Sequence, residues 1–349
     1  MRLEPREHPS LPLRVLAPVL AIMVALALCS ILVAWAGAPI GGAYLALARG
    51  ALGSTFSISE TLTRATPLIF TGLAVAVAFR AKLWNIGGEG QLYAGALAAT
   101  WLGTGTLTWA PVVAIPLLFL AGAVAGGLLL LLPTLLKIRL KVDEVVTTLL
   151  LNFVVLLFVN YLLFGPWKDP MAMGWPQAAP IVDAGVLPVL VAKTRLHQGF
   201  LWALSAALAV WVLMRFTRWG FEIRAVGLNP HAASFAGIPM NATILRTALL
   251  SGGLAACAGV TEVAGTKGYL TVDISPGFGY TGIAVAMLAS LNPLGVIPAA
   301  IFVAAIYIGA DSMSRAMGIS NYLADVITAT ALLTVLVSTL FVQYRVRRG

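Results

Sequence analysis

The chain has 349 residues, of which 60% are hydrophobic and only 10% charged, with a mean hydropathy of +0.95. A soluble domain carries about 25% charged residues, so this composition excludes a water-covered globule and calls for an integral membrane protein with many spans. The net charge of +9 does not point to nucleic acid, because the basic residues stand in short gaps between apolar runs and not in one patch.

In chain order, "MRLEPREHPSLPLR" forms a short N-terminal segment, 1–14, ahead of an apolar run from Val15 to Trp35. That run is longer than the core of a signal peptide; "AWAGAP" faintly resembles a cleavage exit, but an uncleaved first helix is the expected reading. A hydrocarbon core about 30 Å thick takes roughly 20 residues of helix. Candidate spans therefore fall at about 15–36, 60–79, 84–102, 110–136, 145–164, 199–216, 244–264, 277–291, 294–310 and 321–342. Ten spans in one transmembrane domain, 15–342, make an all-α polytopic protein, with the third and eighth spans short and interrupted by glycine. Arg2, Arg6, Arg14, Arg80, Lys82, Lys137, Arg139, Lys141, Arg215, Arg218, Arg224, Arg246 and the tail 343–349 fall on one side. Arg49, Arg64, Lys168, Lys193, Arg195, Lys267 and Arg315 fall on the other. The first set is the larger, which puts both termini in the cytoplasm, 165–198 outside and 217–243 inside. Cys29 and Cys257 both lie in apolar runs and read as small core residues.

Gly122 with Gly126, Ser251 with Ala255, and Gly252 with Ala256 are small-residue pairs four apart, the spacing that lets membrane helices approach closely. Two further phrases recur in the same order. "YAGALAA" at 93–99 resembles "YTGIAVA" at 280–286, and "EVVT" at 144–147 resembles "DVIT" at 325–328. In the ten-span topology the two tyrosines open spans that run in opposite directions, so spans 2–5 and 7–10 would form an inverted repeat. Each tyrosine follows a Gly-x-Gly, "GEG" at 88–90 and "GFG" at 277–279. Interrupted segments at matching places in two halves point to a substrate path.

The segment "LNPHAASFAGI" has the grammar of one short helix. Asn229 is a good N-cap, Pro230 suits the first helical position, and Gly237 can close the end in the left-handed conformation. Ala232, Ala233 and Phe235 give it a small apolar surface, which serves either as a packed connector or as a docking helix for a cytoplasmic partner.

"NIGGEGQLYAGA", "DEVVTTLLLNFV", "NYLLFGPWKDP", "RAVGLNPHAASFAGI" and "SPGFGYTGIAVAMLASLNPLG" stand in order over roughly residues 60–340. Together they resemble the permease subunits of bacterial ABC importers in the sugar and branched-chain amino acid permease superfamily, nearest the nucleoside-type branch. The resemblance implies that Gly227, Asn229, Pro230, Ala232, Ala233 and Gly237 belong to a coupling helix that meets a separate ATP-binding cassette subunit. It also implies a second permease subunit, an extracytoplasmic substrate-binding protein and a place in the bacterial inner membrane. Arg224 and Arg246 would flank the partner surface or meet anionic membrane lipid.

No phosphate loop occurs; "GTKGYL" from Gly265 lacks the earlier glycine and the final hydroxyl. ATP would therefore be bound by the partner subunit, and this chain would carry no cofactor of its own. His8, His197 and His231 are dispersed and make no metal or nucleophile set, so no enzyme activity is expected. The polar residues in or at the ends of spans are the candidate translocation path: Asn85, Glu89, Gln91, Asn152 and Glu262, with Asn160 beside them. A neutral, hydroxyl-rich solute such as a nucleoside would pass by transient hydrogen bonds to Asn and Gln. Alternatively these groups satisfy broken backbone, with Glu89 accepting from N–H groups beside the glycines or pairing with Arg80 or Lys82. Asp143, Glu144 and Asp325 read as helix caps. The expected function is alternating access driven by the partner's ATP hydrolysis; the rival is a secondary transporter that binds H⁺ or Na⁺ at Glu89 or Glu262.

Overall fold

A computed structural model describes residues 2–5, 11–105 and 109–347. Arg6, His8 and Arg348 from the sequence analysis lie outside these. The fold is helical: α1 Leu11–Trp35, α2 Ile40–Leu52, α3 Thr55–Arg80, α4 Gly88–Gly103, α5 Pro111–Leu140, α6 Glu144–Phe164 and α7 Gly199–Phe216. They are followed by α8 Arg218–Leu228, α9 Pro230–Phe235, α10 Met240–Thr261, α11 Phe278–Leu288, α12 Pro293–Met317 and α13 Asn321–Gln343. A π-helical turn, Glu262–Lys267, extends α10. One short antiparallel ribbon pairs Arg2–Pro5 with Tyr344–Arg347.

Seven of the described helices are long and apolar enough to cross a membrane: α3, α5, α6, α7, α10 with its π turn, α12 and α13. The count becomes eight if α1 and α2, bent by 117° about the Ala36–Pro39 elbow, form one broken span. Among the described residues, ten full spans are not seen. The expected third and eighth spans are α4 and α11, which are helices of only 16 and 11 residues. At 1.5 Å per residue they reach about 24 and 16 Å, short of a hydrocarbon core. Each starts late: residues 83–87 before α4 and 268–277 before α11 are not helical, and the Gly-x-Gly falls at the helix start, with Gly88 and Gly90 in the first turn of α4, and Gly277 the N-cap and Gly279 in the first turn of α11. The helix α2 falls in a stretch where the sequence suggests only a loop.

Two compact units divide the chain, Met1–Thr61 with Ile301–Gly349, and Leu62–Ala300. In the first unit Cys29 is buried with Val33, Ala43, Met313 and Ile327, and α2 lies along α12 through small residues. A Cβ on Gly50 would sit 2.1 Å from the Ser312 side chain. In the second unit α4, α5 and α10 form the centre. The small-residue stripes do meet here: a Cβ on Gly126 would lie 2.4 Å from the Gly252 carbonyl, and one on Gly259 would lie 1.9 Å from the Leu92 carbonyl. Where lipid is as apolar as leucine, such backbone approach replaces the hydrophobic drive to associate.

Polar ties close both ends of the second unit. At the end carrying Arg80, Lys82 and Lys137, the Glu144 carboxylate pairs with the Lys137 ammonium and accepts from Trp84 N–H at 3.3 Å, while Lys137 also donates to the Lys82 carbonyl. Asp143 is the N-cap of α6, accepting from Val145 N–H at 2.7 Å. Glu144 is thus an ion-pair partner, and Asp325 is exposed within α13, four residues past its start. At the opposite end the segment 165–198 is stitched to the bundle by main-chain bonds. Ala178 N–H donates to Leu270 O, Ile181 to Gly268 O, Val182 to Gly103 O and Leu187 to Ala264 O, at 2.7–2.9 Å.

Candidate functional site

The two Gly-x-Gly breaks meet. The start of α4 faces the start of α11, and Gly279 lies so close to Gly88 and Glu89 that a Cβ on it would sit 2.1 Å from the Glu89 nitrogen. From this junction the two short helices run apart. Gly103, at the end of α4, holds the loop residue Val182, whereas Leu291, just beyond α11, accepts from Arg80 Nε at 3.0 Å. The junction lies inside the bundle and not at its basic end. Asn152, which touches it, is eight residues into α6, about 12 Å along the helix.

The first turn of a helix has N–H groups without intrahelical partners, and two such turns are buried here. Glu89, 3% exposed, supplies the acceptor for α11: Gly279 N–H donates to its Oε2 at 2.7 Å, and the Ser275 hydroxyl also bonds the carboxylate. Asn152 serves α4, with Gly90 N–H donating to its Oδ1 at 2.8 Å while its amide donates to Ile86 O and the Tyr280 hydroxyl. Asn85 and Gln91 exchange two amide bonds at 2.8–2.9 Å. Asn85 also accepts from Gly87 N–H and donates to Ser251, whose hydroxyl donates to Ala74 O. Tyr93 donates to Val272 O, on the approach to α11.

Four of the five candidate path residues, Asn85, Glu89, Gln91 and Asn152, therefore form one buried set around the junction. Of the alternatives for Glu89, the N–H beside glycine is the one realised, and the glycine belongs to the other break. Asn160 is apart, bonded to Leu156 O in its own helix. Glu262 belongs to a second cluster, on the π turn, where Thr266 donates to it at 3.4 Å and Arg64, Lys267 and Arg195 supply positive charge. Arg64 also stacks over the Phe278 ring, 5.1 Å from its centroid. Ser251, Tyr280 and Arg64 were not legible as site residues. Ser251 reads as a packing residue, Tyr280 as part of a repeat, and Arg64 as a loop charge.

His197 lies beside this second cluster and is fully buried. Its Nδ1 accepts from Gly199 N–H at 3.2 Å, leaving Nε2 to face the Thr266 hydroxyl at 3.4 Å. Burial pushes its pKa down to about 4. The folded state thus holds it neutral, whereas an unfolded chain binds a proton below about 6.5. The stabilisation is complete above about pH 6.5 and is lost as the pH falls toward 4, with a slope approaching about 1.4 kcal/mol per pH unit. Thermal melts between pH 7.5 and 4.5 should show this slope in the native chain and a flatter profile in His197→Asn.

The coupling candidates form an elbow at the basic end. Asn229 caps α9, accepting from Ala232 N–H at 3.1 Å, with Pro230 at the first position. Gly237 closes it with φ +78°, the left-handed conformation that favours glycine. Ala233 is buried against the bundle, whereas Ala232 is exposed and Phe235 is 98% exposed. Gly227 differs from the rest: it is buried in α8, where a Cβ would lie 1.8 Å from the Arg80 carbonyl. It seats the elbow and presents no surface. A groove of about 380 Å³ runs between α8 and α9, lined by Phe221, Ala225, Leu228, Ala232 and Ala236, with Arg218 and Glu222 paired at 3.3 Å on its edge.

Comparison with known proteins agrees with this geometry. Residues 57–337 match the family described as branched-chain amino acid transport system / permease component. The chain is 37% identical to the glucose ABC transporter permease protein TsgB13 of Haloferax volcanii, over all of this chain and 95% of that protein. It is 36% identical to the guanosine ABC transporter permease protein NupP of Bacillus subtilis, over 92% of each. Among solved structures, the chain is similar in fold to PsaBC from Streptococcus pneumoniae in complex with Fab, at TM-score 0.50 and 13% identity, covering 84% of this chain and 94% of that one. A match over most of the chain, carried by relatives of nearly equal length, leaves one assignment: the protein is an integral membrane transport component that belongs to the branched-chain amino acid transport system permease family.

Proposed function

We propose that the chain is the permease subunit of an ABC importer for nucleosides, with simple sugars the next substrate class. The observation that carries this reading is the elbow α8–α9, a capped helix seated on the bundle through buried Ala233, with Phe235 and Leu228 exposed to 98% and 82%. An apolar surface so presented fits the docking of an ATP-binding cassette subunit, and Asn229, Pro230, Ala232, Ala233 and Gly237 shape it. The two relatives described above are permease proteins of glucose and guanosine ABC transporters, which supports a neutral, hydroxyl-rich solute. The head-to-head helices α4 and α11 support an inverted repeat whose halves rock about the junction, so that Asn85, Glu89, Gln91 and Asn152 frame the path and Glu262 lies toward its outer mouth. The same reading places the basic end and both termini in the cytoplasm of a bacterium, the loop 165–198 outside the inner membrane, and a second permease subunit and a substrate-binding protein in the complete importer. A cation-coupled secondary transporter fits less well, because Glu89 is already engaged by Gly279 N–H and Glu262 is surrounded by positive charge.

The test is uptake of labelled purine nucleoside and glucose by cells expressing the whole importer. Uptake should survive an uncoupler while ATP is maintained, and unlabelled nucleosides should compete more strongly than sugars. Uptake that collapses with the uncoupler at constant ATP would overturn the importer reading.

A further inference from the structure

A cavity in the first unit has no part in this route. It has a volume of about 380 Å³ and lies between α1 and α2, which are bent 117° from one another, with α12 and α13 closing its other sides. Two helices that diverge so sharply leave a wedge; five alanines, Ala25, Ala48, Ala51, Ala305 and Ala331, leave it open, and the larger side chains around it, such as Leu47, Phe302 and Ile306, are all apolar. Its one hydroxyl, from Tyr44, is turned away into bonds with Leu26 O and Ser30.

The lining therefore offers nothing to hold water, which needs two or more polar partners, and nothing to recognise a nucleoside or sugar. Left empty, the wall atoms would forfeit their van der Waals partners. A flexible hydrocarbon chain is the occupant whose chemistry matches, and in a membrane protein the bilayer supplies it. The rim adds a charge. Arg49 follows Ala48 in α2 and lies one turn from Leu52, both of which line the cavity, and its own residue is exposed. A guanidinium there is placed for the phosphate of a lipid whose tail enters between Ala48 and Leu52.

We propose that this cavity is a structural phospholipid site, with one acyl chain in the wedge between α1, α2, α12 and α13 and the lipid phosphate paired with Arg49. The site is separate from transport chemistry and stands whichever solute the importer carries.

The importer is purified in mild detergent, washed with delipidating detergent, and the retained phospholipid counted per complex by mass spectrometry. The native protein should keep phospholipid through the wash. Ala48→Phe, which fills the wedge from an exposed position, should lose it. Arg49→Gln should weaken retention about fivefold, the worth of one cation near a lipid headgroup. Leu45→Phe, on the same helix but outside the lining, should retain phospholipid as the native protein does and so controls for folding. Equal loss from the native protein and Ala48→Phe, or undiminished retention by Ala48→Phe with a native melting temperature, would overturn the proposal. Retention unchanged in Arg49→Gln would overturn the phosphate pairing.

Discussion

Gly279→Ala is expected to abolish uptake while the chain still reaches the membrane. The added Cβ would lie 2.1 Å from the Glu89 nitrogen and 2.4 Å from the Gly88 carbonyl carbon, and both obstacles are backbone, which cannot rotate aside. Overpacking alone costs about 1–3 kcal/mol. The larger effect is geometric, because the two helix starts must separate and the Gly279 N–H···Glu89 bond lengthens or breaks. A buried donor left without its acceptor costs about 1–3 kcal/mol more. Gly41→Ala is the control, since a Cβ there meets nothing within 4 Å. Glu89→Gln should be milder than Gly279→Ala, because an amide oxygen still accepts from Gly279 N–H, and the residual uptake should remain independent of uncouplers. Native uptake by Gly279→Ala would remove the junction from the transport cycle.

Phe235→Ala is expected to uncouple the importer without unfolding it. The side chain is 98% exposed, so its loss removes almost nothing from the fold of the isolated chain. If the ATPase subunit closes over it, truncation of a central aromatic anchor costs about 2 kcal/mol, roughly thirtyfold in affinity. Co-purified ATPase should fall accordingly, with transport, while membrane abundance and melting temperature stay unchanged. Gly237→Val probes the same elbow differently, because a β-branched residue at φ +78° strains the backbone that ends α9. An undiminished ATPase yield from Phe235→Ala would place the docking surface elsewhere.

The parts of this fold legible in the sequence were those set by local chemistry. The cap at Asn229, the proline after it and the glycine at 237 specify α9 by themselves, and α9 has the bounds they imply. Apolar length likewise marks α5, α6 and α7. What failed depends on relations between distant segments. Nothing near Glu89 in the chain says that its acceptor oxygen serves Gly279, 190 residues away. Nor does local hydropathy separate a half-length helix from a full span, since α11 is as apolar as its neighbours and is shortened by the glycine-bounded approach before it. The family resemblance includes Gly227 in the coupling helix, and only the fold shows that its lack of a side chain serves the contact with the Arg80 carbonyl.

The seam between the 165–198 segment and the bundle is made of amides and carbonyls from Ala178, Ile181, Val182 and Leu187 to Leu270, Gly268, Gly103 and Ala264. Such a seam keeps its register whatever side chains the segment carries. The outward face, where Met171, Met173 and Trp175 stand exposed, is then free to diverge under selection from whatever it meets, while the attachment beneath it persists. Homologous importers could exchange this segment as a cassette, and the graft points would be the backbone pairs at either end of the seam.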